Sequence, residues 1–294
     1  MARPVGPPTV RLRRLATELK ALRAEAKLTR EQVEDQTGVN QGTLWRLETG
    51  QTKPHNGTLE TLFELYGVSD SRRAALIELA KDSKLPGWFR QTEDANFNEV
   101  TSSGLAAYIG FEAEAKSIHT YESSFVPGLL QTEAYARAVM LDFLPIVPDV
   151  VEMRVRTRMA RQVVLTAERQ GRVPLEFWAV IDEAVLRRQV GSSAVMREQL
   201  EHLLQMSDWP NVMLQVVPFG RGMYPGMGSP FSRLRFGGGV PDVIHADGLV
   251  GDIFLEREAD VELHGRVLDH VRALALSPRD SGTLLAALIA EQTQ

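Results

Sequence analysis

The chain has 294 residues, of which 44% are hydrophobic and 24% charged, and it contains no cysteine. That is length for about two domains with real cores, so wholesale disorder is excluded. Without cysteine there are no disulfides, Cys-ligated zinc sites, iron–sulfur clusters or thiol nucleophiles, which is compatible with a reducing cytoplasm. No apolar run approaches the roughly 18 residues of a membrane span. The net charge of −5 is unevenly divided. Residues 1–55 carry ten Lys/Arg against six Asp/Glu, and residues 56–294 carry 23 against 32. A head of net +4 on a body of net −9 directs attention to the head as the place to meet phosphate.

Residues 1–10 are rich in Pro and read as a loose arm, without the apolar stretch of a signal peptide. From Arg11 the period is helical, with Leu12, Leu15, Leu19 and Leu22 at spacings of three and four. Thr29 has the chemistry of an N-cap for a short helix through Gln36, which Gly38 ends. Asn40 caps a helix through Glu48 that stops at Gly50, and Pro54 forbids immediate continuation. Amphipathic segments Thr58–Tyr66 and Ser71–Lys81 complete five helices within residues 11–82. The polar run 83–103 reads as a connector, in which Trp88 and Phe89 suggest docking. Residues 104–294 read as α/β. Helices are expected over Leu105–Thr120, Thr132 to about Phe143, Pro148 to about Gln170, Ser192–Asp208, Val261–Leu276 and Ser281–Gln292. Strands are expected over Pro174–Asp182, Val212–Pro218, Phe231–Phe236, Asp242–Ala246 and Val250–Leu255. The fold class is therefore multi-domain: an all-α five-helix head and an α/β body with a small mixed or antiparallel sheet.

Residues 28–54, LTREQVEDQTGVNQGTLWRLETGQTKP, place a short helix, a Gly turn and a second helix at helix-turn-helix spacing. Gly38 supplies the positive φ that lets the second helix leave steeply. Val39, Leu44 and Leu47 would lock that helix onto Val33, leaving its polar face for a major groove. Gly38-Val39, Thr43-Leu44, Arg46-Leu47-Glu48-Thr49-Gly50 and Lys53-Pro54 together resemble the Cro/repressor (Xre-type) DNA-binding domain over residues 11–68. The resemblance implies a DNA-binding set of Arg30, Asn40, Gln41, Gly42, Thr43, Arg46 and Lys53. Gln41, Thr43 and Arg46 would face base edges or adjacent phosphates, with Arg46 suited to guanine and Gln41 to adenine, each good pair being worth about 1–3 kcal/mol. Arg30 and Lys53 fall where that family contacts phosphate, and Glu48 has a structural part, holding the turn. Three residues depart from the pattern. Glu34 and Thr37 predict looser or slightly shifted packing of the first helix, and Gly42 costs the second about 1 kcal/mol of helix propensity. Trp45 is expected to pack against Leu62 or Phe63, the alternative being that it lies on sugar and phosphate.

In the body, residues 121–139 read YESSFVPGLLQTEAYARAV. Together with Arg158-Met159-Ala160-Arg161-Gln162, Val180–Leu186, Met196–Leu200 and Val216-Val217-Pro218-Phe219, this string resembles the second domain of WhiJ-like, antitoxin-like transcriptional regulators of actinobacteria, over about residues 88–291. The resemblance implies a cytoplasmic regulator of development or secondary metabolism, often encoded beside a small partner protein that it binds; it does not imply an enzymatic activity, and it leaves the effector open. By their own chemistry the residues say less. VPGLLQT is a packed turn feeding a helix. Asp182 and Glu183 read as a solvated acidic helix start, or as the lining of a cleft. The loop Gly220–Pro230 is either a lid or a hairpin-like connection. Arg154, Arg156, Arg158, Arg161 and Arg169 form a charged face that is solvated, or a second surface turned to DNA or to an acidic partner.

No catalytic pattern stands. Gly226-Met227-Gly228-Ser229-Pro230 is not a nucleophile elbow, and Gly220-Arg221-Gly222 lacks a dinucleotide fingerprint. His264 and His270 are six apart on one helix and do not share a face. No cofactor or metal is expected. The expectation is a sequence-specific regulator that binds a duplex DNA operator through helix 41–48. One head makes few contacts, so a homodimer reading half-sites about 34 Å apart, or a multiple of that, is expected. The body would serve dimerisation and partner or ligand sensing. The alternative is an antitoxin-like module that sequesters a small partner, with DNA binding secondary.

Overall fold

The computed structural model describes residues 10–82, 103–143, 148–166, 173–237, 239–248 and 251–292. Residues 1–9 of the arm, almost all of the connector with Trp88 and Phe89, and Arg169 lie outside the described residues. The chain forms two compact units. The first holds the N-terminal helices with residues 109–114 and 236–240, and the second holds the rest of the body.

The first unit contains α1 (Val10–Glu25), α2 (Arg30–Thr37), α3 (Gln41–Glu48), α4 (Asn56–Leu65) and α5 (Asp70–Asp82). The leucines read at spacings of three and four in α1 are what the core is made of. Leu15, Leu19 and Leu22 are buried with Val33, Leu44, Leu47, Leu59, Leu62, Phe63, Val68 and Leu76 in one cluster. Arg72 of α5 reaches back to Glu18 and Glu25 of α1 at 3.1 and 3.2 Å.

The second unit is built on a six-stranded sheet in the order β3-β2-β1-β4-β5-β6. Its strands are β1 (Ser117–Glu122), β2 (Glu176–Asp182), β3 (Val212–Val217), β4 (Phe231–Arg235), β5 (Val243–Ala246) and β6 (Ile253–Leu255). β1, β2 and β3 are mutually parallel, and β4, β5 and β6 continue the sheet antiparallel. Parallel neighbours need crossovers. These are α7 (Glu133–Phe143) with α8 (Pro148–Arg161) between β1 and β2, and α9 (Glu183–Arg187) with α10 (Ser193–Met206) between β2 and β3. α11 (Glu258–Leu274) lies on one face, where Leu268 and Val271 are buried with Tyr121, Val180, Val217, Phe231 and Ile244. α12 (Pro278–Glu291) closes the chain beside β3, with Ser281 Oγ accepting from the Val216 N–H at 3.0 Å.

Several expectations are corrected. The helix expected over Leu105–Thr120 ends early, as α6 (Ser103–Glu114), and residues 117–122 are a strand at the middle of the sheet. The Arg-rich helix stops at Arg161 and passes into a 3₁₀ turn over Gln162–Leu165. Its face is not uniformly solvated: Arg156 is exposed, Arg158 bonds Gln131 Oε1 at 2.8 Å, and Arg161 is buried. The last helix starts at Pro278 because Ser277 caps it, accepting from the Asp280 N–H. The loop Gly220–Pro230 is not a hairpin connection, since β2 and β1 separate the strands that it joins. Tyr224 in that loop is buried, donating to Asp182 and bonded to the Tyr121 hydroxyl at 2.8 Å. Asp182 and Glu183 are buried rather than solvated. Asp182 caps α9, while Glu183 accepts from the Phe219 N–H at 2.8 Å and pairs with Arg187.

The VPGLLQT string is a packed turn. Leu129 and Leu130 are buried, and Thr132 accepts from the Tyr135 N–H at the start of α7. Gln199 of α10 clamps the turn from the side. Its amide donates to the Leu130 carbonyl at 2.7 Å and accepts from the Thr132 N–H at 2.8 Å.

Candidate nucleic-acid interface

The site is assembled from local rules. Thr29 and Gln32 form a reciprocal capping box at the start of α2, which satisfies two otherwise orphan donors. Gly38 ends the helix at φ +73° with its N–H on the Glu34 carbonyl. A Cβ added at Gly38 would meet nothing within 4 Å, so glycine is required there by the backbone angle alone. Thr37 does not loosen the turn. Its hydroxyl donates to the Val33 carbonyl at 2.6 Å and accepts from the Val39 N–H at 3.1 Å. Glu34 does not loosen α2 either, because it ties that helix to the next: its carboxylate accepts from Asn40 Nδ2 at 2.8 Å and from Gln41 Nε2 at 2.7 Å.

Asn40 caps α3, its Oδ1 accepting from the Gly42 N–H at 2.9 Å. A Cβ at Gly42 would stand 3.1 Å from that oxygen. The glycine that costs helix propensity therefore leaves room for the cap. Leu44, Leu47 and Glu48 face inward and are buried, while Gln41, Trp45, Arg46 and Thr49 are exposed, and Gly42 and Thr43 are half-buried. Arg46 Nη2 donates to Thr43 Oγ1 at 3.0 Å, holding the guanidinium along the exposed face. Trp45 does not pack into the core and is 44% exposed.

Glu48 is the one carboxylate of α3, and its side chain is fully buried. Arg23 of α1 donates to both its oxygens, and Arg30 of α2 donates through Nε at 2.9 Å, with Nη2 at 2.8 Å from the same oxygen completing the ion pair. Arg23 also holds the Leu28 carbonyl at 2.8 Å. Three helices are thus pinned by one carboxylate. The hydrogen bond to Glu48 raises the Arg23 pKa, and burial with the nearby Glu48 charge pushes the Tyr66 hydroxyl up to about 12. The exposed face of α3 keeps one cation, Arg46, and no carboxylate. Lys53 is exposed in the segment after α3. Arg30, expected on phosphate, is paired with Glu48 and keeps a side chain 35% exposed. The signal for the Arg23–Glu48 pair, a basic and an acidic residue 25 apart, is invisible to local pattern.

Two helices crossing at a Gly turn, the second capped, anchored from beneath and polar above, define a helix-turn-helix unit. Residues 14–76 match a helix-turn-helix domain. Residues 105–287 match the domain of unknown function DUF5753, and the chain belongs to that family. A helix-turn-helix domain followed by this domain is the architecture of a helix-turn-helix regulator. No curated protein and no solved structure matches the chain. No helix among the described residues is long and apolar enough to cross a membrane.

Proposed function

We propose that the protein is a sequence-specific DNA-binding transcriptional regulator that lays α3 in the major groove of an operator. The observation that carries this reading is the exposed face of α3. It offers Gln41, Thr43 and Arg46 to a groove, while its only carboxylate is withdrawn into a double ion pair. Arg46 reads guanine, and Lys53 and the outer edge of Arg30 meet phosphate. The DUF5753 unit joins two heads into a dimer, since one head makes few contacts, and it receives a partner or ligand in the cytoplasm, a small partner protein being what the WhiJ-like resemblance implies.

The test is selection of duplexes from a random pool, followed by titration of wild type and Arg46→Ala on the best duplex. Arg46→Ala is expected to weaken binding by about 1–3 kcal/mol and to relax preference at one base pair. Unchanged affinity and preference would remove α3 from the groove. Light scattering on the DNA complex tests the dimer, and a single monomer bound at saturation would refute it.

A further inference from the structure

The one large apolar side chain on the exposed face of α3 has no place in the protein core. We infer that Trp45 is a base-reading residue that recognises the 5-methyl group of thymine in the major groove. This inference rests on the DNA-binding reading above and assigns a chemical partner within that site.

The helical period fixes where Trp45 points. Leu44, Leu47 and Glu48 mark the buried side of α3. At 100° per residue, the opposite side is centred on Gly42 and Thr49, with Gln41 and Trp45 along one flank and Thr43 and Arg46 along the other. Trp45 therefore shares the outward face with Arg46 and is not turned back along the body of the head. The polar groups beside it are held in place: Gln41 by Glu34, and Arg46 by Thr43. Gly42, three residues before Trp45, adds no side chain between them. Its absent Cβ would meet only Asn40 Oδ1 at 3.1 Å and Arg46 Nη1 at 3.8 Å. At that point the backbone of α3 can come closest to base edges, which brings the indole within reach of the groove floor.

The chemistry then selects the partner. The major-groove edges of guanine, cytosine and adenine present polar donors and acceptors, while thymine adds a methyl group. An indole held on the face that enters the groove covers that methyl, while the guanidinium on the other flank takes a guanine. The site so described reads two base types with two side chains, one apolar and one charged. It also accounts for an aromatic residue left 44% exposed in a head whose other large apolar side chains, among the described residues, are buried or partly buried.

The experiment uses the full chain and the best selected duplex. Each thymine is replaced singly by deoxyuridine, which lacks only the methyl, and each guanine by 7-deazaguanine, which lacks the N7 acceptor. Affinity is read by fluorescence anisotropy for wild type, Trp45→Ala and Arg46→Ala. Wild type is expected to lose about fourfold at one or two thymines per half-site, the value of one buried methyl. Trp45→Ala is expected to lose that methyl sensitivity at the same positions and to keep its sensitivity to 7-deazaguanine. Circular dichroism of Trp45→Ala should match wild type, because the indole is outside the core. A wild type indifferent to every uridine overturns the inference, as does a Trp45→Ala variant that keeps the methyl sensitivity. If Trp45→Ala instead weakens all duplexes equally and wild type shows no methyl preference, the indole lies on sugar and phosphate and the inference fails while DNA binding stands. A wild type that selects no duplex overturns the DNA reading itself and the inference with it.

Discussion

Glu48→Ala would remove the carboxylate on which α1, α2 and α3 converge. Its side chain is fully buried, that of Arg23 is 16% exposed and that of Arg30 35% exposed. Deleting one partner of a buried ion pair costs about 3–5 kcal/mol, because the other charge is left without compensation. Arg30 is open enough to turn into water, so its share is discounted, while Arg23 is not. The low end, about 3 kcal/mol, is the expected loss. Hydrogen exchange of the full chain reads this directly at the amides of Leu44 and Leu47, which lie inside α3. A loss of about 3 kcal/mol speeds exchange through opening of the head by about two orders of magnitude. Amides of the interior strand β2 should be unaffected, since they belong to the other unit. Arg30→Ala leaves the Arg23–Glu48 pair intact and should cost about 1 kcal/mol, with exchange about fivefold faster. If α3 amides in Glu48→Ala exchange within threefold of wild type, the ion pair does not hold the recognition helix and the reasoning fails.

Lys53→Ala should weaken binding to all duplexes alike and lower the slope of log affinity against log salt by about one; a change in base preference would place Lys53 on a base instead. Gly38→Ala should destabilise the head by about 1–2 kcal/mol in denaturant titration, entirely through the backbone, since its Cβ meets nothing. The last prediction concerns pH in the second unit. Burial first, then the charge of Asp247, pushes the Glu122 carboxyl up to about 8. The folded chain therefore holds a proton that the unfolded chain, with an ordinary carboxylate, has released. Its contribution is fully present below the ordinary carboxylate value, declines as pH rises towards 8 by at most about 1.4 kcal/mol per unit, and is gone above it. Glu122→Gln should erase that decline, so melting curves of variant and wild type should separate progressively from pH 5 to pH 8. Parallel curves across that range would show that Glu122 titrates normally.

Local rules carried the head. The Thr29 and Asn40 caps, the Gly38 turn and the leucine period each depend on residues within one or two turns of one another. A single sequence therefore displays them, and α2 and α3 begin where the caps predict. The α/β class of the body was equally legible, because LEFWAVI and VMLQVV are apolar runs of strand length. What local pattern did not reach depended on residues far apart in the chain. Residues 117–122 follow a helix with no Gly or Pro between, and they become a strand because β2 and β4 pair with them from both sides. Asp182 and Glu183 look like a surface helix start. They are buried because Tyr224 and the Phe219 N–H arrive from a loop some forty residues later to satisfy their oxygens.

The charge division met at the outset belongs to the sequence alone: a +4 head and a −9 body are fixed by residue identity. How the head spends its charge is a property of the tertiary structure. Arg23 and Arg30 are drawn inward to neutralise Glu48, which leaves Arg46 as the cation of the exposed face of α3. The sequence likewise determined that a tryptophan sits in the second helix of the motif. Only the packing of Leu44 and Leu47 against α1 and α2 decided that it faces out, because a helix has one buried side and those leucines occupy it.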